Sequence, residues 1–167
     1  MRETNLKKYT QQTYIVTTRF DTTTWEYNEQ YRDLHEITGC LYSDQTQMSR
    51  KVPIDASVLV IEMNNSKNMI EGVGLIRNRI SIDKNRMYSE INYNRFVYRG
   101  KYRIGREKLI EENLDLVETL DAVLFKGKTH MKRGTGYTRI TDKIMKLERC
   151  EHIDIIDTLI KIFKKVF

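Results

Sequence analysis

Cysteine, proline and long apolar runs are scarce in this chain, and the scarcity excludes whole classes of protein. Its 167 residues include two cysteines and one proline. Because Cys40 and Cys150 stand far apart, they form neither a disulfide framework nor a metal-binding pattern. No apolar run approaches the roughly 20 residues that a bilayer-spanning helix needs. The sequence therefore predicts reduced thiols and no membrane partner.

The amino terminus also lacks the apolar core of a signal peptide. Residues 1–12 read as a polar tail, beginning MRETNLKKYT, and we expect an intracellular protein. Residues 13–167 are enough for one domain with a real core and too few for two. We therefore expect a single domain after the tail.

Acidic residues are rare in two stretches that are rich in lysine and arginine. The formal net charge of the chain is +6. Residues 77–108 hold ten bases and three acids, a local net charge of +7, and residues 125–139 hold five bases and no acid. The remainder of the chain is net acidic. Cations concentrated in this way are typical of a surface that binds a polyanion.

Short β-rich segments and apolar helical stripes together predict an α+β fold. Strands are expected over residues 13–20, 56–63, 69–76, 80–82 and 94–104. Helices are expected after Asp21, where Gly39 would end the first of them, then over 106–124 and from about residue 140 to 166. These elements predict a small, mostly antiparallel, partly closed sheet with two or three helices.

Residues 56–76 form the clearest hairpin, with turn residues at 64–68. Two glycines interrupt its second strand, MIEGVGLI. A glycine offers no side chain for packing, so Gly72 and Gly74 predict a β-bulge or the close approach of another group.

Basic and aromatic residues alternate in the segment 95–103. Successive side chains of a strand point to opposite faces, so one face would carry the cations Arg95, Arg99, Lys101 and Arg103. That face is a candidate track for phosphates. The alternative is that it faces water while the aromatic face packs in the core.

The segment LFKGKTHMKRGTGYT, residues 124–138, combines glycines with cations. Gly127-Lys128-Thr129 is similar to the end of a phosphate-binding loop. However, Ala122 replaces the first glycine and a helix is predicted before the segment, so we reject nucleotide hydrolysis. The alternatives are a solvated loop, or a flexible loop that contacts nucleic acid through Lys126, Lys128, Lys132 and Arg133.

Aromatic residues are the candidates for stacking on a base, namely Trp25, Tyr42 and Tyr98. The alternative for each is core packing. The apolar stripe of the last helix, which includes Ile156, Leu159 and Phe163, also predicts core packing. Its alternative is a face for a homodimer or another partner.

Catalytic patterns are weak in this chain. The three histidines are scattered and no Cys or Asp stands at metal-ligand spacing. We therefore predict no catalytic residue, no metal and no cofactor. Glu62 and Glu71, which would face each other across the hairpin, leave a nuclease as the weakest alternative.

The order of these elements resembles that of PUA-like domains, the group that includes the YTH and EVE domains. The resemblance covers residues 13–104: the strand TYIVTTRF, a helical stretch with Trp25, then GCLYS and the hairpin VLVIEMNNSKNMIEGVGLI. It implies a partly closed sheet that reads RNA or a modified base. The segments NYNRFVYRGKYRIGREKL and KGKTHMKRGTGYT are also similar to uncharacterised proteins of large DNA viruses, which implies the host cytoplasm or the virion.

The sequence thus favours a non-enzymatic nucleic-acid-binding protein, with RNA favoured over DNA. Its basic strand and basic loop would share one face. The second hypothesis is an interaction protein that docks an acidic partner.

Overall fold

An open sheet of five strands forms the centre of the computed structural model, which describes residues 12–83 and 85–167. Its strands are β1 (Thr13–Phe20), β3 (Ser57–Asn64), β4 (Met69–Arg77), β6 (Tyr102–Gly105) and β7 (Thr138–Arg139). They lie in the order β6-β4-β3-β1-β7, with β1 and β3 parallel and the other neighbours antiparallel. Because β6 and β7 are edges, the sheet is not closed, contrary to the predicted partial closure. A second sheet pairs β2 (Cys40–Asp44) with β5 (Phe96–Gly100).

The predicted α+β class is confirmed, and the predicted helical regions contain five α-helices within the described residues. These are α1 (Thr22–Leu34), α2 (Arg106–Glu112), α3 (Leu114–Phe125), α4 (Asp142–Met145) and α5 (Ile155–Val166). The helix expected over 106–124 divides at Asn113, whose side chain accepts a hydrogen bond of 3.0 Å from the Leu116 amide and caps α3.

The five-stranded sheet separates two apolar layers. On one face Leu59 and Ile61 contribute to a core that is completed by residues of α3 and α5. On the other face Val58 and Val60 pack in a cluster with Tyr42 and Tyr98 of the small sheet. Alternate residues of β3 therefore serve opposite layers, which is why the whole strand is buried.

The hairpin and the start of the first helix agree with the prediction. Asp21 accepts a hydrogen bond of 2.7 Å from the Thr24 amide and caps α1. The register of β3 and β4 shifts beside Gly72, which leaves Glu71 as the bulged residue. The space above Gly74 is occupied by the Tyr42 hydroxyl, which a Cβ at this position would overlap. The predicted bulge and close approach are therefore both present.

Other predicted boundaries are wrong. The helix α1 ends at Leu34, before Gly39, and the buried strand β2 was not predicted. Residues 80–82 form no strand. The amide of Ser81 nevertheless donates a hydrogen bond of 2.7 Å to the Val97 carbonyl, so this segment is attached to β5.

The predicted strand over 94–104 is two strands that belong to different sheets. β5 pairs with β2, while β6 pairs with β4, and Lys101 is the single residue between them. A change of sheet breaks the alternation of side chains. The four cations of 95–103 therefore do not share one face, contrary to the prediction.

The apolar stripe of α5 packs in the core, through Ile155, Leu159 and Phe163 among others. This outcome confirms the predicted core packing of these residues. None of the helices in the described part of the chain combines the length and the apolar character that crossing a membrane requires.

Candidate nucleic-acid interface

A broad surface groove lies beside the junction of β5 and β6, with a volume of about 910 Å³. Three segments line it: residues 35–39 after α1, residues 76, 77 and 79–82 at the end of β4, and residues 99–102 at the junction. Its cations are Arg77, Arg79, Arg99 and Lys101, and Glu36 is the carboxylate among the lining residues. Arg99 and Lys101 were predicted to bind nucleic acid. Arg77 and Arg79 were not named, although both lie in the basic window of residues 77–108.

Backbone packing builds the floor of this groove. Gly39 lies so close to the Gly100 carbonyl that a Cβ would overlap it, and a Cβ at Gly100 would overlap the Leu75 carbonyl. Glycine at both positions therefore lets the end of β5 approach β4 and the segment after α1. The same approach carries Arg99 and Lys101 to the groove.

Two of the groove cations are already paired with carboxylates. The Arg79 guanidinium donates hydrogen bonds of 2.7 and 2.8 Å to the two carboxylate oxygens of Asp55. Arg99 donates one of 3.0 Å to Asp83. The two hydrogen bonds between Arg79 and Asp55 raise the pKa of Arg79 and lower the pKa of Asp55. An exposed pair with a single contact, such as Arg99–Asp83, contributes little to stability, whereas the bidentate contact of Arg79 with Asp55 is the firmer of the two.

Lys101 and Arg95 differ from these paired residues. Lys101 is exposed and forms no ion pair within residues 12–83 and 85–167. It is therefore the groove cation that is most available to an anion. Arg95 is also exposed, with its guanidinium carbon 5.2 Å from the centre of the Phe96 ring, but it does not line the groove.

Arg103, the fourth predicted cation, is part of a buried ion pair rather than a surface track. It donates hydrogen bonds of 2.8 and 2.7 Å to the two carboxylate oxygens of Glu62, which is 1% exposed. The Tyr42 hydroxyl donates a further one of 2.7 Å to Glu62. Burial acts to lower the pKa of Arg103, but the Glu62 charge, the hydrogen bonds to Glu62 and smaller contributions from Tyr42 and Cys40 together raise it. Arg103 is therefore a structural cation.

The aromatic residues predicted to stack on a base are buried. Tyr42 and Tyr98 are each 1% exposed, and Trp25 is 6% exposed. The Tyr42 hydroxyl is bonded to Glu62, and the Tyr98 hydroxyl accepts a hydrogen bond of 2.9 Å from the Met48 amide. Burial raises the pKa of both hydroxyls. Tyr42 and Tyr98 offer no ring face to a base, so this prediction is wrong for both and core packing, its alternative, holds. Trp25 packs in the same cluster but also lines a second surface pocket with Arg103 and Arg106, so stacking on a base stays a prediction for this residue.

The carboxylates considered for a nuclease do not form a pair. Glu62 lies opposite Gly72 and is neutralised by Arg103, while Glu71 accepts a hydrogen bond from the Asn64 side chain. Among the described residues, no group of three or more His, Cys, Asp or Glu side chains is arranged to hold a metal ion. The geometry offers no support for that reaction.

The basic loop of residues 126–137 begins where α3 ends, and no helix follows it before α4. Its backbone is held from inside by Arg19, which donates hydrogen bonds of 2.8 Å to the Met131 carbonyl and 3.3 Å to the Gly136 carbonyl. Burial lowers the pKa of Arg19 to about 10, so it is charged at neutral pH. The loop is thus fixed in place, and the rejected phosphate-loop interpretation has no helix to support it.

The cations of this loop are remote from the groove. Lys126, Lys128 and Arg133 are exposed, and Lys132 contacts the Asn68 side chain in the turn before β4. The groove lies beside Ile76, near the other end of β4. Eight strand residues separate these positions by about 25 Å. The loop and the groove therefore do not form the single joint site that the sequence predicted.

No protein-family model, curated protein or solved structure matches this chain. The PUA-like resemblance therefore stays a prediction. The groove remains the candidate site.

Proposed function

We propose that this chain is a non-enzymatic nucleic-acid-binding protein that holds the sugar-phosphate backbone of its ligand in the groove. One observation carries the proposal: Arg77, Arg79, Arg99 and Lys101 converge there from two separate segments. Guanidinium and ammonium groups are the usual ligands of nucleic-acid phosphates. Convergence from two segments gives several contacts to successive phosphates, which a single surface lysine cannot give.

RNA is the favoured ligand, in line with the resemblance to PUA-like domains, and DNA is the alternative. The groove supports either one, because phosphate contacts carry no information about the base or the sugar. A direct comparison of RNA and DNA oligonucleotides with the same sequence tests this choice.

The experiment is fluorescence anisotropy with a labelled oligonucleotide at several salt concentrations. Binding should weaken steeply as salt rises, since counterions are released from the nucleic acid on binding. The Arg99→Ala/Lys101→Ala double variant should bind at least about ten-fold more weakly at low salt. The slope of the logarithm of affinity against the logarithm of salt concentration should fall by about 2.

The matched control is Arg95→Ala/Lys128→Ala, which removes two exposed cations outside the groove. A smaller loss is expected for the control than for the groove variant. Absence of binding at low salt would refute the proposal. Equal losses in both variants would show that the groove is not the site.

A further inference from the structure

Two isoleucines stand at the rim of the cationic groove. Ile80 is 40% exposed and Ile82 is 96% exposed, and both line the groove. Single exposed isoleucines are common on protein surfaces and need no explanation. These two differ because they stand beside the cations that we assign to phosphate binding.

The backbone that carries these isoleucines is anchored on both sides. The Ser81 amide donates a hydrogen bond of 2.7 Å to the Val97 carbonyl. On either side, the Arg79 amide donates one of 2.7 Å to the Arg77 carbonyl and the Asp83 amide one of 3.3 Å to the Ser81 hydroxyl. Ile82 is therefore exposed on a segment whose backbone is fixed by hydrogen bonds. An apolar group held in water at the edge of a cationic groove gains free energy when a ligand covers it.

We infer that the groove binds single-stranded nucleic acid, with phosphates on the cations and an unpaired base against Ile82. The inference rests on the proposed function. In a single strand the base faces are accessible to apolar side chains. In a duplex those faces are covered by stacking, so Ile82 would meet sugars and phosphates and remove water from charged groups, which is unfavourable.

The test compares a labelled single strand of about ten nucleotides with the same strand annealed to its complement. Anisotropy is measured for the wild-type chain, for Ile82→Ala and for the control Ile54→Ala. Ile54 is 81% exposed and does not line the groove. Because both side chains are largely in water, neither variant should affect folding.

The wild-type chain should bind the single strand about ten-fold more tightly than the duplex. Ile82→Ala should weaken single-strand binding by about five-fold, the effect of losing a partly covered apolar side chain. It should not weaken duplex binding, because removing Ile82 relieves an unfavourable contact there, and it should leave the salt slope unchanged, because no charge is lost. Ile54→Ala should match the wild-type chain on both ligands.

Equal affinity for the two ligands, or Ile82→Ala binding the single strand as the wild-type chain does, overturns the inference and leaves the proposed function intact. Equal weakening on both ligands overturns it too, because Ile82 would then contact the backbone. If neither ligand binds at low salt while an acidic, leucine-rich peptide does, the inference and the proposed function both fail, and the groove is a protein-docking site.

Discussion

Arg99 and Arg103 are four residues apart in the chain, and the fold uses them in opposite ways. Arg99 lies at the surface, pairs with the exposed Asp83 and lines the groove. Arg103 is largely buried and pairs with Glu62 through two hydrogen bonds. The side chains are the same, so burial alone decides which cation is available to a ligand and which holds the fold together.

The largest effect should follow from breaking the buried pair. Arg103→Ala leaves Glu62 buried without a counter-charge, which should reduce the free energy of unfolding by about 3–5 kcal/mol. Arg99→Ala is the matched control and should cost less than about 1 kcal/mol, because its pair is exposed. Urea unfolding monitored by circular dichroism measures both. Similar losses of unfolding free energy in the two variants would show that Arg103 stabilises the fold no more than the exposed Arg99 does.

A smaller loss of stability is expected at the half-buried Arg19. Arg19→Met keeps the apolar stem and removes the hydrogen bonds to the Met131 and Gly136 carbonyls, so it should cost about 2 kcal/mol. The exposed Arg50 provides the control, Arg50→Met. Trypsin should also cleave the 126–133 segment faster in the Arg19 variant. Unchanged cleavage would mean that Arg19 does not hold the loop.

The pairing of Arg99 with Asp83 predicts a gain in binding. Asp83→Asn removes the carboxylate that competes with phosphate for Arg99, and affinity for an oligonucleotide should rise about two- to three-fold. Asp115→Asn makes the same change of charge in α3, outside the groove, and should produce a smaller rise. Anisotropy at matched salt measures both. Equal gains would indicate a general charge effect only.

The smallest effect should come from the second basic region. Lys132→Ala/Arg133→Ala changes cations about 25 Å from the groove, roughly three screening lengths at physiological salt. For an oligonucleotide short enough to occupy the groove alone, affinity should change by less than about two-fold. A loss as large as that of the Arg99/Lys101 variant would restore the joint site that the sequence predicted.

Local signals in the sequence predicted the local parts of this fold. The strand β1, the Asp21 cap and the hairpin with its bulge each depend on residues that are close in sequence. The α+β class follows from these elements. The basic window of residues 77–108 also includes the four groove cations, although the sequence did not distinguish them from the other six bases of that window.

The position of Arg103 could not be predicted in the same way. Its partner Glu62 lies 41 residues away, and the change of sheet at Lys101 depends on how closely Gly100 approaches β4. Alternation along a strand says nothing about which sheet the strand joins. The burial of Tyr42 and Tyr98 likewise comes from packing between two sheets, which no short segment encodes.

Trp25 is the only tryptophan of the chain, and its ring lies 5.2 Å from the guanidinium carbon of Arg103 and 5.4 Å from that of Arg32. An indole beside two fixed charges emits light whose wavelength depends on those charges. The protein thus carries its tryptophan at the buried ion pair and not among the residues that line the groove. Its emission should shift when the Glu62–Arg103 pair breaks and stay constant when an oligonucleotide binds, so one optical signal distinguishes unfolding from binding.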